Sequence, residues 1–275
     1  MMENVKLNDG TLIPRIGLGV FRTRSGEETE QAVRWALDAG YRHIDTAKAY
    51  RNEESVGRAI RESGIDRKEI FITTKLWNEE VRSGKTKQAF FDSLDRLGVD
   101  YIDLYLIHWP AEGFEQAWLE MEKLYEEGYI KSIGVSNFHK NHLDALKIKG
   151  KYTPSVDQIE SHPYFSNQEL IDELHARGIA PEVWSPLAGG NRAQELLAEP
   201  VLKEIAEKYG KTAAQVVLRW HMQRDTIVIP KSVHQDRIIS NLDVFDFELS
   251  AEDMRWISSL DKGQRVGANP DTFDF

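Results

Sequence analysis

The chain has 275 residues, 41% of them hydrophobic, which is enough for one substantial core and within the usual size of a single α/β barrel. A formal net charge of -10 argues against a nucleic-acid backbone or an anionic bilayer as the main partner, because both favour basic surfaces. The absence of cysteine excludes disulfides, thiolate zinc sites and cysteine nucleophiles, and it fits a reducing compartment.

The opening MMENVKLNDG has no apolar signal-peptide core, and no run of about 18 apolar residues suggests a membrane span. A soluble cytoplasmic protein is expected. Residues 5–7 and 12–14 flank Asn8, Asp9 and Gly10, a turn signal that predicts a short hairpin able to plug one mouth of the fold. Short apolar runs then alternate with helical patterns, at 17–20, 43–46, 71–75, 102–108, 132–136, 156–159, 182–185 and 227–230. Between them, segments such as 27–37, 53–60, 86–97, 114–125 and 213–221 repeat apolar residues at helical spacing. Eight runs separated by helices predict an α/β chain folded as a (β/α)8 barrel, one domain over residues 1–275. Gly189 and Gly190 suggest a flexible loop after the seventh run, one whose backbone could approach a ligand. Residues 263–275, rich in Gly, Asp and Asn, read as a C-terminal loop lying over the active-site face, with Phe273 and Phe275 either touching substrate or simply exposed.

Four groups capable of proton chemistry stand at or just past successive strand ends: Asp45 and Tyr50 in HIDTAKAY, Lys75 in FITTKLW, and His108 in YIDLYLIHWP. Singly each has an ordinary reading, Asp45 as a helix cap, Lys75 as a surface side chain, His108 as a core histidine bonded to a carbonyl. In parallel strands closed into a barrel, all four converge at one end. No G-x-G-x-x-G fingerprint is present, since Arg22 stands where the third glycine would follow Gly17 and Gly19, so a Rossmann domain is not expected. His43 and Asp45 form an H-x-D pair that no further ligand completes, and no metal site is predicted. Barrels commonly bind phosphate in the loops after strands seven and eight, where IPKSVHQDR lies.

With GVSNF (134–138), VDQIESHP (156–163), EVWSPL (182–187) and IPKS (229–232), in family order over nearly the whole chain, these residues resemble the aldo-keto reductase family. The similarity is greatest to its bacterial 2,5-diketo-gluconate reductase and prostaglandin F synthase-like branch. The resemblance implies NADPH-dependent reduction of aldehydes and ketones to alcohols. Tyr50 would give the proton, Lys75 would lower the Tyr50 pKa, Asp45 would keep Lys75 charged, and His108 would orient the carbonyl. The resemblance assigns Ser136, Asn137 and Gln158 to the nicotinamide carboxamide, Trp184 to stacking on its ring, and Lys231, Ser232 and Arg237 to the adenosine 2′-phosphate, with Leu187, Val233 and Asn241 completing the cofactor site. By themselves, Ser136 and Asn137 also fit a helix cap or turn, Gln158 a core hydrogen bond and Trp184 ordinary packing. His234 stands where relatives often carry arginine, and Ser240 precedes Asn241 where a glutamate commonly contacts adenine, so use of NADH remains open. Phe21, Trp77 and Trp109 are expected as pocket walls, which favours apolar or amphipathic carbonyl compounds. A monomer acting on a small-molecule carbonyl substrate is expected. Two other readings cover part of the pattern: a cofactor-binding structural or regulatory module with little turnover, and a lyase using Lys75 as a Schiff-base nucleophile.

Overall fold

The computed structural model describes residues 3–275 and begins with an antiparallel hairpin, β1 (Asn4–Lys6) and β2 (Leu12–Pro14), with Val5 opposite Ile13. Eight parallel strands follow: β3 (Leu18–Gly19), β4 (His43–Asp45), β5 (Phe71–Leu76), β6 (Ile102–Ile107), β7 (Ile130–Ser136), β8 (Val156–Glu160), β9 (Ala180–Trp184) and β10 (Ile227–Val228). Their spatial order is their chain order. The sheet closes on itself through main-chain bonds: Gly17 N–H donates to Val228 O at 2.9 Å, Gly19 N–H to Pro230 O at 3.2 Å, and Val228 N–H to Arg15 O at 3.0 Å. The (β/α)8 barrel expected from eight alternating runs is therefore the fold.

Helices α1 (Glu27–Ala39), α2 (Glu53–Glu62), α3 (Asn78–Arg82), α4 (Thr86–Leu97), α5 (Phe114–Glu126) and α6 (Lys140–Lys149) accompany the first half. The second half carries α7 (Gln168–Ala176), α8 (Gly190–Leu197), α9 (Pro200–Tyr209), α10 (Ala213–Gln223), α11 (Gln235–Leu242) and α12 (Ala251–Ser258). The Gly-rich stretch after β9, expected as a loop, yields α8: Gly189 at φ 73 makes the turn, and Leu196 gives the helix a buried anchor.

Strand side chains alternate between faces, and this period sorts the barrel into three environments. Facing outward, Ile44, Ile72, Leu76, Ile159 and Val183 belong to the apolar layer shared with the helices, which contribute Val33, Phe90 and Trp118. Facing inward, Phe71, Leu104, Val156 and Ile227 near the strand starts, with Leu106 further along β6, form a second apolar cluster. Leu7 and Ile13 of the hairpin region join that cluster, so the hairpin plugs this end as expected. Near the strand ends the interior turns polar: His43, Asp45, Thr73, Lys75, Gln158 and Glu182 are all buried there.

Helices α2 and α4 approach closely at Gly57, where a methyl group would collide with the Leu97 carbonyl oxygen. Gly57→Ala gains about 1 kcal/mol in helix propensity, whereas overpacking against backbone costs about 1–3 kcal/mol. Urea unfolding of Gly57→Ala is expected to show a net destabilisation, and a stabilised variant would mean the helices separate freely.

Candidate active site

Lys75 occupies the penultimate position of β5 and points into the barrel, where it has no solvent exposure. Its Nζ donates to Asp45 Oδ1 at 2.7 Å, to Asp45 Oδ2 at 2.8 Å and to Thr46 O at 2.9 Å. It also lies 3.4 Å from the Tyr50 hydroxyl. Asp45 ends the neighbouring strand β4, whose register pairs it with Thr73, so Asp45 and Lys75 share the inner face. A single 3-10 turn, Lys48–Tyr50, then carries Tyr50 back over the pair. His108 follows β6 and meets the Tyr50 ring at 5.7 Å, edge to face. All four residues proposed for catalysis thus meet at one end of the barrel.

Burial raises the Asp45 carboxyl, and the Lys75 charge and the Gln158 amide oppose that rise. Burial works against the Lys75 charge, but Asp45 and Tyr50 outweigh it and hold the amine above its ordinary range. Lys75 is therefore an ammonium. Tyr50 is pushed up to about 12, because burial exceeds the opposing pull of Lys75. That corrects an expectation drawn from the cation alone. His108 lies well below its ordinary value through burial and Lys75, and is a neutral imidazole.

Phe21, Trp77 and Trp109, expected as pocket walls, lie at this end. The Phe21 ring lies 5.0 Å from Tyr50, and Trp77 lies 5.1 Å from His108. Phe275 stacks on Trp77 at 5.9 Å and meets Trp109 edge-on at 5.1 Å, while Phe273 lies 5.1 Å from Trp109. The Phe275 carbonyl accepts from Asn78 Nδ2 at 3.1 Å and from Arg82 at 2.7 Å. Further back, the Glu160 carboxylate receives Val266 N–H at 2.5 Å and Gly267 N–H at 3.2 Å. Any side chain on Gly267 would strike the Trp184 ring. The tail is thus tied over the active-site face at two points.

Ser136, Asn137, Gln158 and Trp184 form a second, adjoining set. Asn137, at φ 62, turns its amide so that Nδ2 donates to His108 O at 3.0 Å and to Ser136 Oγ at 3.1 Å, and its Oδ1 accepts from Trp184 Nε1 at 2.9 Å. Ser136 Oγ donates to Gln158 O at 2.8 Å. Asn137 thereby fixes the His108 segment and the plane of Trp184. Gln158 Nε2 donates to Asp45 Oδ2 and to Glu182 Oε2, each at 2.8 Å, so what it has left for a ligand is its own Oε1. Leu187 is half-buried, one turn before α8.

Lys231, Ser232, Val233, Arg237 and Asn241 lie elsewhere on the same face, where Lys231 bridges Gly19 and Ser232 Oγ accepts from His234 N–H at 3.1 Å just ahead of α11. Lys231 and Arg237 are exposed, whereas Ser232 and Asn241 are buried. Two cationic side chains and a hydroxyl beside the first turn of a helix are the donor set a phosphate dianion requires, so these residues fit a phosphorylated nucleotide. Sequence reasoning missed Glu182, fully buried and bonded to Gln158, because EVWSPL was weighed only for Trp184; the period of two places both on the inner face.

A family model described as Aldo/keto reductase family matches residues 15–262. The chain is 49% identical to the glyoxal reductase of Bacillus subtilis over 276 residues, covering 100% of this chain and 99% of that protein. Among solved structures, MGS-M4, an aldo-keto reductase enzyme from a Medee basin deep-sea metagenome library, superposes with a TM-score of 0.95 at 45% identity, covering 98% of this chain and 100% of that one. The Bombyx mori aldo-keto reductase in complex with NADP superposes at 0.91 with 37% identity, covering 98% and 96%.

Lys75→Met leaves Asp45 buried opposite no cation, which is expected to cost about 3–5 kcal/mol of stability. Urea unfolding at neutral pH measures it. A loss below about 1 kcal/mol would mean water or a proton replaces the ammonium without difficulty.

Proposed function

Since the chain belongs to the aldo/keto reductase family, we propose that it reduces aldehydes and ketones to alcohols with NADPH, using Tyr50 as the acid. The observation that carries this reading is Lys75 Nζ, bonded to both Asp45 oxygens and 3.4 Å from the Tyr50 hydroxyl. NADPH, when bound, supplies the hydride. Reduction leaves the former carbonyl oxygen as an alkoxide, and the residues of the chain must bind and protonate it.

A proton donor must hold its proton beforehand and tolerate its loss afterwards. Burial secures the first for Tyr50, and the Lys75 ammonium supports the second by facing the phenolate oxygen. Neutral His108 retains one ring N–H with which to donate to a carbonyl oxygen and orient it. Ser136 and Gln158 offer acceptors to the nicotinamide carboxamide, and Trp184, fixed by Asn137, offers a flat face to its ring. Lys231, Ser232 and Arg237 hold the 2′-phosphate, with Val233, Leu187 and Asn241 around the rest of the nucleotide; NADH, lacking that phosphate, binds more weakly.

The aromatic wall of Phe21, Trp77, Trp109, Phe273 and Phe275 supports an apolar or amphipathic carbonyl substrate. Lys75 as a Schiff-base nucleophile finds no support, because its ammonium protons are committed to Asp45 and Thr46. One chain supplies the whole set, which supports a monomer. The net charge of -10 and the lack of cysteine favour a cytoplasmic setting without nucleic acid or membrane partners, and among the described residues no helix is long and apolar enough to cross a membrane.

The direct experiment is fluorescence titration of the tryptophans with NADPH and NADH, followed by cofactor-absorbance assays with methylglyoxal and an aromatic aldehyde. Tyr50→Phe should lower turnover by at least about 100-fold with NADPH affinity nearly unchanged; activity retained within about tenfold would remove Tyr50 from the acid role. Lys231→Gly and Arg237→His should weaken NADPH more than NADH, whereas equal losses would point to damaged folding.

A further inference from the structure

Beside the catalytic cluster lies a buried acid, Glu182, to which the reaction above gives no role. Glu182 has no solvent exposure, and its Oε2 accepts from Gln158 Nε2 at 2.8 Å. The other hydrogen of the same amide goes to Asp45 Oδ2, also at 2.8 Å. Glu182 Oε1 has no hydrogen-bond partner and lies 3.6 Å from His43 Nε2. Two carboxyl groups thus share one amide, and the charges around them can be counted. From β5 comes the Lys75 ammonium, already bound to both Asp45 oxygens. From β4 come Asp45 and His43, the latter driven down to about 3 by burial and by Lys75, hence neutral. Tyr50 and His108 are neutral as well. One cation balances one carboxylate, and nothing in the cluster balances a second.

We propose that Glu182 is a positioning residue of the catalytic cluster that acts as a neutral, proton-bearing acid: it pins the Gln158 amide between itself and Asp45 and keeps the buried cluster electrically balanced while Tyr50 gives up its proton. This rests on the reductase reading. Burial and the Asp45 charge push the Glu182 carboxyl up to about 8, in keeping with the charge count. When Glu182 ionises, it adds a negative charge that opposes a Tyr50 phenolate, so Tyr50 becomes a poorer donor. Ionised Glu182 also holds the Lys75 amine further above its ordinary range, so the ammonium answers a second negative charge besides the phenolate. The rate of carbonyl reduction should therefore fall as the pH rises through the Glu182 titration.

The test has two arms. In the free protein, infrared spectra with carboxyl-labelled glutamate separate Glu182 from Asp45 and from Asp157, another buried acid raised by burial. A protonated glutamate band should persist at about pH 7, disappear by about pH 9, and be missing in Glu182→Gln. In single-turnover reduction with saturating NADPH, the descending alkaline limb of wild type should move up by at least about one pH unit in Glu182→Gln, whatever the height of its plateau. A purely structural role would lower the plateau and leave the limb in place. No labelled band in wild type at about pH 7 overturns the proposal, as does an unmoved limb. Should Glu182→Gln fail to fold, the wild-type infrared titration still decides. If wild type neither binds NADPH nor reduces any carbonyl, the reductase reading has failed instead, while the protonation state of Glu182 is still read from the free protein.

Discussion

A lysine and an aspartate cut off from water at the end of a barrel are each unaffordable alone, and the arrangement around them follows from that fact. The ammonium stays charged because both Asp45 oxygens and the Thr46 carbonyl receive its protons. Asp45 stays ionised because the ammonium and the Gln158 amide face it. Tyr50 and His108 then meet a fixed positive charge in a medium of low polarity, where its influence on a phenol or a carbonyl is large. The opposite end of the barrel is filled by Phe71, Leu104 and the hairpin residues Leu7 and Ile13, which supply the burial stability that a polar interior lacks.

Much of this was legible in the sequence. The short apolar runs located β4, β5, β6 and β8 to within a residue or two, and parallel strands brought Asp45, Lys75 and His108 to one end because each stands at the close of its run. What escaped was governed by contacts between distant positions. The helix α8 is anchored by Leu196, whose burial no local pattern around Gly189 announces. The Tyr50 pKa moved up because burial, which is a property of the closed barrel, outweighed the neighbouring cation. Gln158, assigned to a ligand, also serves two carboxyl groups, one of them 113 positions away in the chain. Motifs show which side chains face inward, and the hydrogen-bond partner each one chooses is fixed only when the sheet closes.

The substrate end is built differently from the catalytic end. Its walls come from Phe21, Trp77 and Trp109 on three separate connections, together with Phe273 and Phe275 of the tail. Aromatic stacking holds them with little directional constraint, whereas Asp45, Lys75 and Gln158 are locked by short charged bonds. On the proposed reading, a rigid reactive centre beneath an adaptable wall would accommodate carbonyl compounds of different shape at one fixed proton donor.

The seam where the barrel closes has a separate consequence. The strands on either side, β3 and β10, are two residues each, and Gly19 must be glycine because a side chain there would press 2.9 Å from the Ile229 carbonyl. Lys231, directly across from Gly19, begins the turn that carries Ser232 and leads into α11. Any anion gripped by that turn binds the closed barrel and not the opened one, so mass action turns its affinity into resistance of the seam to opening. On the proposed reading, amide hydrogens of Gly17 and Gly19 would therefore report nucleotide binding, exchanging with solvent more slowly as the turn fills, although neither residue need touch the ligand.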